Sequence, residues 1–407
     1  MVRIGGRLVG LDVARCLALL GMMGTHVLDA RTPTGGLTLV HLVAGGRASA
    51  LFAVLAGVSL ALMTGRATPV LRGADRRTWA VYAAGLGIRA LLIAMIGLVL
   101  GALDTGIAVI LTYYGVLFCC GIPFLALRAR TLAIVAAAWV VAGPVLSQVL
   151  RPELPERGVE SPSVLQLTDP LQMLSELFVT GYYPVIAWMP YLLIGIALGR
   201  LELRSPQVSA MIAILGAAVA TSALVLSTWL TGRAGVAGTL ADELGLPAGT
   251  DVFRAIESGM YGNTPTGGSW DWLLVVAPHS STPFDVAQTL GSALLVIGLC
   301  LLVAGALPPT GVVATAVFFG AGRMTLTLYT LHVVMRIPQV PPADTPGSFG
   351  WHVLVVFGIG AVWVALGWRG PLERLVGWPF EQLRRLTRPN PPNPSAPSVP
   401  GSPTPAG

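Results

Sequence analysis

Windows of about 20 predominantly apolar residues recur along this chain, at 8–28, 44–64, 80–102, 107–127, 131–150, 182–201, 208–230, 284–306, 311–335 and 350–368. A backbone in lipid must satisfy its own N–H and C=O groups, so a window of that length crosses as a helix. The repetition commits the chain to one architecture: an all-α integral membrane protein with about ten transmembrane helices in one bundle. Composition agrees, with only 11% charged residues against about 25% in a soluble globular protein.

The arginines give the bundle a direction. All 25 basic residues are arginine, and they concentrate in alternate connections. One set holds Arg3 and Arg7, then Arg66 to Arg77, Arg128 and Arg130, Arg200 and Arg204, and the arginines from Arg369 onward; in the other the short connections hold only Arg31 and Arg336, with none in 103–106. The positive-inside rule puts the richer set, and both termini, in the cytoplasm. The net charge of +6 is thereby accounted for, and it indicates no nucleic-acid partner. Arg3 and Arg7 before an apolar stretch superficially resemble a secretory signal, but Asp12 and Arg15 interrupt that stretch, so a retained first helix is expected. Cys16, Cys119, Cys120 and Cys300 lie within apolar windows, so neither a disulfide framework nor a metal framework is expected.

The transmembrane domain is expected to span 1–380, with outward connections at 151–181 and 231–283. Leu165, Leu171, Leu174, Leu177 and Phe178 have helix-like spacing, which suggests an interfacial amphipathic helix. Trp270 and Trp272 are expected near the membrane surface. Residues 381–407 form a basic, Pro-rich cytoplasmic tail with nothing apolar to bury, and disorder is expected there.

The first window departs from the others. It contains Asp12, Arg15 and His26, and an ionisable group at the centre of a membrane helix costs roughly 2.5–3.5 kcal/mol on insertion scales. Arg15 and His26 are eleven positions apart. At about 100° per residue they share one stripe, roughly 16 Å apart along the axis. Asp12 is within pairing reach of Arg15.

With this topology the histidines gather near the outer surface. His26 ends the first span, His279 sits in the hydroxyl-rich run Pro278-His279-Ser280-Ser281-Thr282-Pro283, and His332 shares a helical face with Thr325 and Tyr329. An imidazole in a partly dry site suits a general base. No HxxxH pair occurs, so no metal site is expected. Arg15, Arg47, Arg89 and Arg323 fall within or at the mouths of spans that contain few acids. The excess suggests an anionic ligand such as a phosphate or pyrophosphate, while snorkelling or bonding to backbone carbonyls is the plainer alternative.

Gly10-Leu11-Asp12-Val13-Ala14-Arg15 followed by His26 at R-x10-H spacing resembles the first core helix of the transmembrane acyltransferase superfamily. That superfamily includes acyltransferase-3 proteins and the heparan-alpha-glucosaminide N-acetyltransferase family. Arg47 with Ala50–Gly57 is similar to the second-helix F-x-x-L-S-G element, with Ala56 where the pattern has serine. Tyr183–Gly195 resembles a YPVLPW-like segment of the glucosaminide acetyltransferases and the YeiB/DUF418 group. Gly322–Tyr329 and Arg369-Gly370-Pro371-Leu372-Glu373 resemble the C-terminal part of that group. The resemblance covers about 8–380.

It implies acyl transfer from cytoplasmic acetyl-CoA or another acyl-CoA to a hydroxyl or amine of an extracytoplasmic sugar, glycolipid or cell-envelope glycan at the plasma (inner) membrane. It also implies that His26 is the catalytic histidine, with Arg15 and its partner Asp12 organising the site. Arg15, Arg89 and Arg323 are the candidates for binding the acyl-CoA. Arg47, His279, Ser280, Tyr329 and His332 are candidates for the acceptor. Membrane lipid is the surrounding partner, and a homodimer is compatible with the sequence. The rival reading is a polytopic transporter or lipid flippase, since Pro184 and Pro190 break a span and a polar seam is buried. Its expected inverted repeat is not visible.

Overall fold

Every apolar window carries helix, and the computed structural model describes this for residues 7–158, 161–247, 249–343 and 345–386. The first half runs α1 (Val9–Val27), α2 (Leu39–Ala44), α3 (Arg47–Met63), α4 (Arg76–Gly101), α5 (Leu111–Gly121), α6 (Ala129–Leu150), α7 (Pro170–Ser175), α8 (Val185–Gly199) and α9 (Pro206–Thr231). The second half runs α10 (Val236–Glu243), α11 (Val252–Ile256), α12 (Pro283–Ala306), α13 (Pro309–Phe318), α14 (Thr325–Met335), α15 (Phe349–Ala365) and α16 (Pro371–Arg385). Among the described residues the only β-type pairing is an isolated bridge between Arg31 and Leu37. Among the described residues six helical segments, counting α2 and α3 together as Leu39–Met63, are long and apolar enough to cross a membrane by length and composition, or seven if the bent pair Pro170–Thr180 and Val185–Gly199 is one span.

Helix starts follow local chemistry. Asp75, Ser205 and Thr282 each accept a backbone N–H of the first turn of α4, α9 and α12, and proline fills the first turn of the latter two, where its missing donor costs nothing. Within the bundle, small residues let backbones touch. A Cβ on Gly195 of α8 would stand 2.1 Å from the Val54 carbonyl oxygen of α3, so only glycine allows this helix pair to close, as is common where packing rather than water drives association.

Two continuous windows turn out to be broken. The 44–64 window begins earlier, as α2, and turns at Gly45–Gly46, where Gly46 has φ +68°. The 311–335 window splits into α13, a 3-10 turn at Gly320–Arg323, and α14. Apolar periodicity runs through both interruptions, but Gly-Gly and Gly-Ala-Gly lose the most entropy on becoming helical. A Cβ on Gly322 would lie 1.8 Å from the Asp12 carbonyl oxygen, so the turn sits directly against α1. The new start of α14 is capped from a distance: Glu373 of α16 accepts the N–H groups of Leu326 and Thr327 at 2.7 and 3.2 Å, and the Thr327 hydroxyl at 2.6 Å. A carboxylate there satisfies donors that a helix start leaves unpaired.

Outside the main core, Leu240, Val252, Trp272 and Ala277 belong to a small second cluster between α9 and α12. Trp272, expected at the membrane surface, is fully buried there and donates its indole N–H to Glu243 at 2.7 Å, whereas Trp270 is exposed. The 151–181 connection is largely helical, with Leu165, Leu171 and Leu174 exposed and Leu177 buried. Of the tail expected from 381, residues 381–385 complete α16, and 387–407 lie outside the described residues.

Candidate active site at the two ends of the first helix

Two cavities flank α1, one at each end. The larger, about 790 Å³, is lined by His26, His41, His279, Tyr113, Tyr182, Tyr183, Tyr261, Arg157 and Asp104, among others. The smaller, about 260 Å³, is lined by Arg7, Asp12, Arg15, Ser59 and Arg66. His26 belongs to the first and Arg15 to the second, roughly 16 Å apart by helical rise.

The smaller cavity is organised around one carboxylate. Asp12 accepts from Arg7 Nε at 3.1 Å, Arg7 Nη2 at 3.0 Å and Arg15 Nη1 at 2.8 Å. Arg15 Nη2 donates to the Ser59 hydroxyl at 3.0 Å, which itself donates to the Leu55 carbonyl. Asp12 is 4% exposed, and the contacts from Arg7 and Arg15 supply the partners that a buried carboxylate needs. With Arg66 also on the wall and Arg323 facing Arg7 and Asp12, positive charge is in excess. Such a site attracts anions. At 260 Å³ it is below the ~300–1,000 Å³ usual for a drug-sized ligand, so it suits a phosphate or pyrophosphate group rather than a whole nucleotide.

The larger cavity is built from imidazoles and phenols. His26 Nδ1 is 3.2 Å from His332 Nε2, which leaves Nε2 as the nitrogen His26 offers to the cavity. His41 Nδ1 pairs with the Thr38 hydroxyl at 3.2 Å. His279 is placed by a left-handed turn, with φ +57°, and its ring lies 4.9 and 5.6 Å from the rings of Tyr182 and Tyr183. It stands in the connection before α12, where burial holds its imidazole down at about 4, so it is neutral at pH 7. The Arg157 guanidinium sits 5.7 Å from both the Tyr182 and Tyr261 ring centres.

The residues singled out in the sequence therefore separate. Of Asp12, Arg15 and His26, the first two share one cavity and the third lines the other. Among the acceptor candidates His279 lines the larger cavity with His26, and His332 stands behind it. Tyr329 is buried with its hydroxyl accepting from the Ile110 N–H at 3.4 Å, and Ser280 is buried and bonded to Thr282 at 3.3 Å. Arg47 donates to the Leu42 carbonyl at 2.9 Å, closing the α2–α3 turn, which is the carbonyl-bonded alternative. Arg89 of α4 turns towards α16, facing Glu373 and Glu381, and lines neither cavity. His41 falls among the histidines expected to gather together but was assigned no role, and Tyr182, Tyr261 and Arg157 were not anticipated; the run Tyr182-Tyr183-Pro184 at the broken span was the available signal. Among the described residues, no group of three His, Cys, Asp or Glu side chains is arranged to hold a metal ion.

Fold and cavities define a multi-pass α-helical membrane protein whose first helix presents an imidazole at one end and a guanidinium cluster at the other. Residues 7–231, more than half of the 407, match the family described as heparan-alpha-glucosaminide N-acetyltransferase, catalytic. The chain belongs to that family, which makes it a member of a membrane acetyltransferase family. A search of curated proteins found no match to it.

Proposed function

We propose that this protein transfers an acyl group, most simply acetyl, from acyl-CoA to a hydroxyl or amine of a sugar, glycolipid or cell-envelope glycan across the plasma (inner) membrane. The observation that carries the reading is the pair of cavities on α1, with Arg15 in one and His26 in the other. Arg7, Arg15 and Arg66 hold the donor's phosphates from the cytoplasmic side. The acyl end reaches His26 along the helix, and the acceptor enters from the opposite side among Tyr182, Tyr261 and His279. His26 Nε2 removes the acceptor's proton as its oxygen or nitrogen attacks the thioester carbonyl, and the CoA sulfur leaves.

This arrangement requires about ten crossings with both termini cytoplasmic. The six long helices and the bent pair are joined by three more crossings: α1, α5 with its following 3-10 turn, and the broken pair α13–α14. The arginine-rich connections of the sequence support the orientation.

Purified protein in lipid nanodiscs is expected to move label from acetyl-CoA to glucosamine or to an envelope glycolipid extract. His26→Ala should lower the rate by about 10²–10⁴ while leaving CoA binding intact. A His26→Ala protein that transfers at the wild-type rate would falsify the mechanism.

A further inference from the structure

Three imidazoles from three helices meet behind the larger cavity. His26 Nδ1 lies 3.2 Å from His332 Nε2, and His332 Nδ1 lies 3.0 Å from His352 Nδ1. The first two rings are within 7° of parallel, with centroids 5.4 Å apart. That separation is close to the largest that two imidazoles joined by a 3.2 Å nitrogen contact can reach. The contact is therefore end-on and in the plane of both rings, where an N–H···N bond points. His332 and His352 cross at 72° with centroids 4.9 Å apart, a less aligned bond. His332 is 0% and His352 1% exposed, while His26 reaches the cavity.

A neutral imidazole has one donor and one acceptor nitrogen. His332 uses both, so its tautomer is tied to those of its two neighbours. If His26 carries its proton on Nδ1, His332 accepts at Nε2 and donates from Nδ1 to His352, and His26 Nε2 is a bare acceptor. If the donors run the other way, His26 Nε2 carries the proton and is an acid.

We propose that His332 and His352 are positioning residues that relay the proton of His26 to the His352 ring and back during each turnover, an inference that rests on the acyl-transfer reading. As the acceptor's O–H or N–H bond breaks, its proton bonds to His26 Nε2. The Nδ1 proton of His26 passes to His332 Nε2, and the Nδ1 proton of His332 passes to His352 Nδ1. His26 and His332 finish neutral, and His352 holds the positive charge. When the CoA sulfur leaves, it takes the proton from His26 Nε2 and the shifts reverse, so no proton is gained or lost overall. The relay thus removes charge from the reacting centre and leaves His26 ready as the acid for the second step. Besides one another, the titratable and charged groups facing His26 and His332 are Arg336, His41 and His279.

The test uses the full chain in lipid nanodiscs. His352→Asn keeps a hydrogen-bonding side chain but has no basic nitrogen to take up the relayed proton, and His352→Gln replaces it should His352→Asn not fold. Nitrogen-15 histidine spectra should show the His26 tautomer changing in the variant, although His332 stands between the two rings. With acetyl-CoA and glucosamine, the variant rate should fall about ten-fold or more. Its rate should depend linearly on the deuterium content of the solvent, where the wild type curves because several protons move together. An active wild type whose variant keeps its His26 tautomer, rate and curved dependence overturns the relay alone. A wild type that transfers no label defeats the acyl-transfer reading itself, and the relay's role with it.

Discussion

The two ends of α1 meet the same difficulty, polar groups in an apolar layer, by opposite means. At Asp12 and Arg15 full charges are kept and tied down, with Arg7 and Ser59 completing the network. At His26 the groups are ones that exist without charge, and ring nitrogens satisfy each other through His332 and His352. Fixed charge suits holding an anion, since its attraction does not vary with each step. A neutral, switchable hydrogen-bond chain suits moving a proton. On the proposed acyl-transfer reading, the contrast gives binding to one end and chemistry to the other.

Gly322 is where that division can be broken. Its turn touches Asp12 at one end and starts α14, which carries His332 to the other. Gly322→Ala is expected to cost stability at the upper end of about 1–3 kcal/mol, and to damage CoA binding and transfer together. Gly305→Ala, with nothing within 4 Å of the new methyl, is the control and should unfold at or above the wild-type temperature. Loss of transfer alone in Gly322→Ala would show that the turn serves only the histidine end.

Arg15→Gln sharpens the comparison. CoA should bind about ten-fold more weakly, roughly 1.4 kcal/mol, with kcat changed much less than KM. A drop in kcat at unchanged CoA affinity would mean that Arg15 works on the chemistry and that the two ends are not divided in labour.

The smallest effect is with pH. His279 sits at about 4 in the folded protein against 6.5 when free. Between those values the unfolded chain binds a proton that the folded chain does not, so stability should fall as the pH drops from 6.5 towards 4. Cavity water screens the effect to on the order of 1 kcal/mol. Hydrogen-exchange protection factors in 279–282, corrected for the intrinsic pH dependence of exchange, should fall in that window, and His279→Gln should flatten the dependence. A loss of protection persisting in His279→Gln would assign it to another group.

The helices were legible because hydrophobic windows are a local signal, and the seam of α1 because an eleven-residue spacing fixes an angle. The breaks at Gly45–Gly46 and Gly320–Arg323 were hidden, since average apolarity does not register two or three glycines. Trp272 shows the same limit: an indole reads as interfacial until a partner such as Glu243 and a satellite core are in view. Arg89 and Arg47 looked alike in sequence as buried cations, but only packing shows one facing α16 and the other bonded to carbonyls. The histidine cluster joins residues more than 300 positions apart, which a reading of helix faces one at a time cannot assemble. Glu373 belongs to the same class, a cap supplied 47 residues downstream of the Leu326 N–H that it accepts.

That separation has a consequence for how the protein is made. Chains emerge N-terminus first, at about 5–20 residues per second, so α1 is in the membrane early while its histidine partners wait for α14 and α15. For most of synthesis His26 has neither His332 nor His352 beside it. The histidine cluster is therefore completed last, although its leading residue is made first. A ribosome that stalls after Thr231 would release the whole family-matched stretch, 7–231, as a membrane-inserted but chemically unfinished product.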